Sequence, residues 1–139
     1  MDPLSVSASA AALITICVQA VRLIKTTVET LKNAKTLLLS LLNQTERMRL
    51  FLEQLRSLTH RLGDRQDLAL SFNDRACKAT VSELQMLVQR IGRSKTWVSL
   101  QVLLNQSKSN DLLQRLKRHE EEIVTVLMFI ATYVLQNPT

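Results

Sequence analysis

Only four of the chain's 139 residues are glycine or proline, and that scarcity restricts the fold more than any other feature. Sandwiches, barrels and wound sheets need frequent tight turns, which these two residues largely supply. A chain with 26 leucines and so few turn-formers is expected to be all-helical, and its length suits one domain. Gly63 and Gly92 are the only glycines, so neither a phosphate-cradling loop nor a dinucleotide fingerprint can be written. At 46% hydrophobic and 22% charged residues, the chain is too apolar to remain disordered.

Asp2 and Pro3 open the first helix, with an acceptor at the N-cap and a proline where no amide bond is lost. No charge occurs from Pro3 to Val21, and the stripe Leu13, Ile16, Ala20, Leu23, Ile24 continues past the first charge, Arg22. Serines and threonines dilute the run, which reads as a central helix of a soluble bundle and not as a constitutive membrane span. After a turn at Lys32, Asn33, Ala34 and Lys35, the second helix carries a seam stepping by three and four. Its members are Leu38, Leu41, Thr45, Met48, Leu52, Leu55, Thr59 and Leu62, with Gly63 as the C-terminal cap. Ser71 is expected to cap a third helix with the face Phe72, Cys77, Thr80 or Val81, Leu84, Leu87, Val88 and Ile91, stopped by Gly92. A short helix is expected at residues 97–105. The last helix carries Leu112, Leu116, Ile123, Leu127, Ile130 and Val134. The expected architecture is an all-α, up-down bundle over residues 1–139, with helices at 3–31, 35–62, 71–91, 97–105 and 109–136 and the apolar N-terminal helix buried.

Catalytic chemistry needs convergent His, Cys, Asp or Glu residues, and the inventory is thin. His60 and His119 both have charged neighbours in sequence and read as solvent-facing; Glu120, Glu121 and Glu122 read as ordinary pairing along a helix surface. Cys17 and Cys77 read as unpaired core thiols in a reducing compartment. The expectation is therefore no enzyme, no catalytic residue, no cofactor and no metal. The opening carries Asp2 where a secretory leader has a basic start, so an intracellular, cytoplasmic location with recruitment to membrane is expected.

The net charge of +6 is unevenly placed. In an up-down bundle the end of the first helix, the start of the second, the end of the third and the start of the last share one pole. Residues 22–35, 83–95 and 108–118 hold eleven basic residues against three acidic ones, more than the whole net charge. Cations at helix C-termini are favoured by the macrodipole, but those near helix starts are not. Lys32, Lys35, Arg90, Arg93, Lys95, Lys108 and Arg115 are accordingly the candidate contacts for an anionic surface. Nucleic acid fits poorly because only Trp97 lies near these residues for stacking; an anionic membrane or acidic protein fits better.

The opening Met1-Asp2-Pro3-Leu4-Ser5-Val6-Ser7-Ala8-Ser9, followed by the apolar run to Val21, resembles fungal N-terminal domains attached to STAND-type NTPases. These are the HeLo-like group, and the subgroup at the start of azaphilone-pigment-cluster proteins is the nearest in pattern. Lys32, Asn33 and Ala34 resemble that family's first turn, and Glu46 to Leu55 is similar to its leucine-rich second helix. Lys95, Thr96, Trp97 and then Leu112 to His119 resemble its passage into the last helix, with Val98 where proline is frequent. The resemblance implies a non-enzymatic signalling or protein-interaction bundle, partnered by itself or by a STAND-type receptor. It also implies a cell-death effector whose N-terminal helix enters a membrane, here through Leu4, Val6, Leu13, Ile14, Ile16, Val18 and Val21. The rival expectation is an accessory protein of a metabolic cluster that holds an apolar small molecule among Phe51, Phe72, Trp97 and Phe129.

Overall fold

The computed structural model describes residues 3–30, 35–59, 61, 72–93 and 107–136, with side chains for all of these except 3–7, 35, 107 and 108. Four helices make up nearly all of the described chain: α1 at Pro3–Thr30, α2 at Lys35–Thr59, α3 at Asp74–Arg93 and α4 at Ser107–Gln136. No strand occurs among the described residues. The expected short helix at 97–105, the caps at Asp2, Ser71 and Gly63, and His60 lie outside them.

Each helix forms because one stripe of its residues can be buried. Of the stripe expected in α1, Leu13, Ala20 and Ile24 are buried and Ile16 and Leu23 half-buried, while Leu62 of the α2 seam lies outside the described residues. Leu38, Leu41, Thr45, Met48, Leu52, Leu55 and Thr59 of α2 are all buried. Thr45 is tolerated there because its hydroxyl donates to the Leu41 carbonyl at 2.7 Å. Cys77, Thr80, Val81, Leu84, Leu87, Val88 and Ile91 of α3 are buried too, so both candidates at 80 and 81 face inward. In α4, Leu112, Leu116, Ile123, Val126, Leu127 and Ile130 are buried, and Val134 is half-buried.

Two helix boundaries differ from expectation. The cap of α3 is Asn73: its side-chain oxygen accepts the Ala76 amide at 3.1 Å, and its carbonyl accepts the Cys77 amide at 3.2 Å. That shift places Phe72 just ahead of the cap and Cys77 at the fourth helical position, both buried, the pairing of a hydrophobic staple. Gly92 does not stop α3, which continues through Arg93. A lone glycine weakens a helix but does not end it when the flanking turn is packed.

The helices run alternately up and down, but their order around the bundle is not the order in sequence. α1 packs against α2 and α3, and α4 packs against the same two. Gln85 reaches the Ile16 carbonyl at 3.3 Å and Gly92 lies beside Thr27, so α3 runs alongside α1 in the same direction. Thr80 meets His119 and Glu83 meets Arg115, so α4 runs back against α3. Helices α2 and α3, consecutive in sequence, are thus diagonal partners, and Cys77 Sγ of α3 meets Met48 Sδ of α2 at 3.7 Å. Both cysteines are free and buried, and burial pushes the Cys77 thiol up to about 12.

Candidate interaction surfaces

Helix α1 turns its aliphatic side chains inward. Leu13, Ile14 and Val21 are buried, Ile16 and Val18 are half-buried, and the side chains of Leu4 and Val6 lie outside the described residues. Its outward face is made of small and polar residues: Ala8, Ala12, Thr15 and Gln19, then Arg22 and Lys25. The Thr15 hydroxyl donates to the Ala11 carbonyl at 3.1 Å, so it is satisfied within the helix. The stretch Ala8–Thr30 is apolar and long enough to cross a membrane by length and composition, and its most apolar 18 residues have a mean hydropathy of 1.5 with 39% of them buried in the bundle.

The end of α3 lies beside the end of α1, with Gly92 next to Thr27. Arg22 and Lys25 on α1 and Arg90 and Arg93 on α3 are exposed there. Arg115 is not available as an anion contact. It forms ion pairs with Glu83 of α3 and with Asp111 one turn before it at 3.0 Å, and is half-buried. Proximity to a helix start does not decide its charge environment, because two carboxylates already neutralise this guanidinium. Lys32 and Lys95, and the side chains of Lys35 and Lys108, lie outside the described residues.

His119 also departs from expectation. It is buried, 8% exposed, inside the inward stripe of α4 between Leu116 and Ile123. Its sequence neighbours are charged, but adjacent residues on a helix point about 100° apart and do not share its surroundings. Its Nε2 lies 2.8 Å from the Thr80 hydroxyl, and that hydroxyl donates to the Ala76 carbonyl at 3.0 Å. With the hydroxyl proton so used, Nε2 is the donor and Nδ1 carries the lone pair, with no hydrogen-bond partner and with Glu122 Oε2 at 3.8 Å. Burial lowers the His119 pKa against the opposing pull of Glu122, with Arg115 and Arg118 lowering it further. Beside it, Ala76, Ala79, Thr80, Arg118 and Glu122 help line an open cleft of about 390 Å³ between α3 and α4. The acidic run is likewise not self-contained on α4: Glu120 accepts from Arg47 of α2 at 2.7 Å, tying those two helices together.

The aromatic residues expected around an apolar ligand are not all in the core. Phe72 is buried and Phe51 half-buried, but Phe129 faces solvent, and Trp97 lies outside the described residues. Phe129 immediately precedes the buried Ile130 and points about 100° away from it, which leaves it on the solvent side. With it on that outer side are Met128 and Leu135, an apolar surface that spacing alone did not single out. Among the described residues, no three or more His, Cys, Asp or Glu side chains come together as metal ligands.

A family model described as pigment biosynthesis cluster protein PigL N-terminal matches residues 1–102. The match takes in α1, α2 and α3 and stops short of α4. No curated protein and no solved structure matches the chain.

Proposed function

The chain belongs to the family of pigment biosynthesis cluster protein PigL N-terminal domains, and from that premise we propose that it is a non-enzymatic signalling and protein-interaction domain whose membrane-active element is α1. The carrying observation is the uncharged outward face of α1 at Ala8, Ala12, Thr15 and Gln19. A core helix of a soluble bundle ordinarily keeps charge on its solvent side, as α2 does with Arg47 and Arg56 and α3 with Arg75 and Lys78. In α1 no charge would enter hydrocarbon before Arg22. The uncharged 19 residues Pro3–Val21 span about 28 Å at the helical rise, close to a hydrocarbon core of about 30 Å.

Withdrawing α1 uncovers the inward faces of α2 and α3, so release is coupled to a compensating association of several copies. Arg22 and Lys25, exposed at the far end of the same helix, would rest at an anionic leaflet, where each basic residue contributes about 1 kcal/mol.

The test is dye leakage from mixed phosphatidylcholine and phosphatidylserine vesicles, with the chain free or fused to a trimeric coiled coil. Thr15→Lys is the informative variant because Thr15 is exposed, whereas an inward charge at Leu13 would unfold the bundle. A lysine at the middle of a membrane helix costs about 3 kcal/mol. Leakage by the wild type, reduced at least tenfold in Thr15→Lys with an unchanged circular-dichroism spectrum, supports the reading. Equal leakage by both, or none in either format, overturns it.

A further inference from the structure

A buried polar atom left without a hydrogen bond costs stability, and a native fold that keeps one has a use for it or a partner from outside the chain. His119 Nδ1 is such an atom: the residue is more than nine-tenths buried, and Nδ1 has no hydrogen-bond partner among the described residues. Because Nε2 donates to the Thr80 hydroxyl, whose own proton goes to the Ala76 carbonyl, Nδ1 presents a lone pair. Glu122 Oε2 faces it at 3.8 Å, and a carboxylate is a second acceptor. Two acceptors turned toward one another call for a group that donates to both. A primary ammonium does so with a single nitrogen.

The same cleft holds Arg118, which is exposed and has no ion-pair partner among the described residues. Arg115 lines it too, but Glu83 and Asp111 already engage that guanidinium. A bare cation, a metal ion included, would be opposed by Arg118; a bare anion would be opposed by Glu122 and by the Nδ1 lone pair. A molecule carrying both an ammonium and a carboxylate satisfies all three groups. Ala76 and Ala79 of α3 add methyl groups to the lining, against which an aliphatic substituent can rest.

We infer that the cleft between α3 and α4 is a binding site for a small amino-acid zwitterion, its ammonium donating to His119 Nδ1 and Glu122 and its carboxylate held by Arg118. The cleft volume of about 390 Å³ is in the range of small-molecule sites. Nδ1 is itself covered, so entry requires a side-chain rotation, and Glu122, 40% exposed, has the room to make it. The charged residues of the site stand on α4, beyond the residues 1–102 that the family model matches, and no lining residue belongs to α1. Ligand binding here and membrane entry by α1 therefore succeed or fail separately.

The full chain carrying ¹⁵N-labelled histidine is titrated near pH 7 with leucine and with glycine, which share the zwitterion and differ in side chain. Calorimetry gives the affinity, and long-range ¹H–¹⁵N spectra follow the two ring nitrogens of His119. Saturable binding of at least one of them is expected, with a Kd of about 1 mM or below. The Nδ1 resonance should move upfield as it accepts a hydrogen bond, while Nε2 stays in place. N-acetylleucine, which lacks the ammonium, and leucinamide, which lacks the carboxylate, should each bind at least tenfold more weakly than leucine. Arg118→Gln and Glu122→Gln alter side chains outside the core, so helix content should hold while affinity falls at least tenfold. Failure of both amino acids to saturate in that range, equal binding of either blocked form, or indifference to both variants overturns the inference. So does an imidazolium signature on both ring nitrogens of the unliganded chain, since Glu122 would then be the partner that Nδ1 lacks.

Discussion

Helices α1 and α4 both contain long uncharged stretches, and by hydropathy α1 is the greasier of the two. Their solvent sides reverse that order. Outside, α1 shows Ala8, Ala12, Thr15 and Gln19, while α4 shows Met128, Phe129 and Leu135. Mean hydropathy averages over a helix, but the need for a partner is set by the residues left outside the bundle. The helix that looks made for a membrane leaves little apolar side chain in water, and the one that looks amphipathic leaves a row of it.

The contrast breaks most visibly if the inward and outward positions of α1 are exchanged in effect. Leu13→Ala, which removes a buried side chain, is expected to lower unfolding free energy by about 2–5 kcal/mol in urea titrations, whereas Thr15→Lys stays within about 0.5 kcal/mol. Comparable losses at the two sites would mean that α1 has no solvent side.

A second distinction is titration, because the inward stripe of α4 carries His119 and that of α1 carries no histidine or carboxylate. The folded pKa of His119 lies below its unfolded value near 6.5, so the unfolded chain binds more protons in the interval between the two. Stability contributed by neutral His119 is present above that unfolded value and is lost as pH falls from there toward the folded pKa. The urea midpoint should drop from pH 7 to pH 5, and His119→Gln, which keeps a donor for Thr80, should flatten that slope. An unchanged slope would show that the imidazole is not held neutral.

The smallest effect sharpens the fit of α3 to α1. A methyl group added at Gly92 would meet only Thr27 Oγ1, at an ordinary 3.8 Å. Gly92→Ala is expected to raise stability by about 0.5–1 kcal/mol through helix propensity, seen as a higher melting temperature. A lower one would mean that the last turn of α3 is closer to α1 than that spacing allows.

The seams of α2 and α3 were legible because leucine and its kin recur at three and four over many turns, and burial simply followed the count. His119 was equally legible in principle: the step from Leu116 to Ile123 is seven, and position 119 fills the gap in the stripe. Its charged neighbours in sequence suggest exposure, but on a helix they are not its neighbours in space. Arg115 was misplaced for a different reason, since its partner Glu83 is 32 residues away and periodicity carries no information about which helix lies beside which. The diagonal placement of α2 and α3 was hidden for the same reason. The exposed row on α4 escaped notice because one turn of core-facing residues, Val126 and Leu127 next to Met128 and Phe129, makes all four look alike in a linear reading.

The sulfur atoms at the centre of the bundle give the proposed release of α1 a built-in clock. Cys17 rides on α1 and Cys77 on α3, and neither is accessible while the helices are packed. An alkylating reagent can reach them only during an excursion that parts those helices, so the rate of adduct formation counts such excursions one by one. If α1 leaves as a unit, both thiols are uncovered in the same event, and singly modified chains should be scarce relative to doubly modified ones.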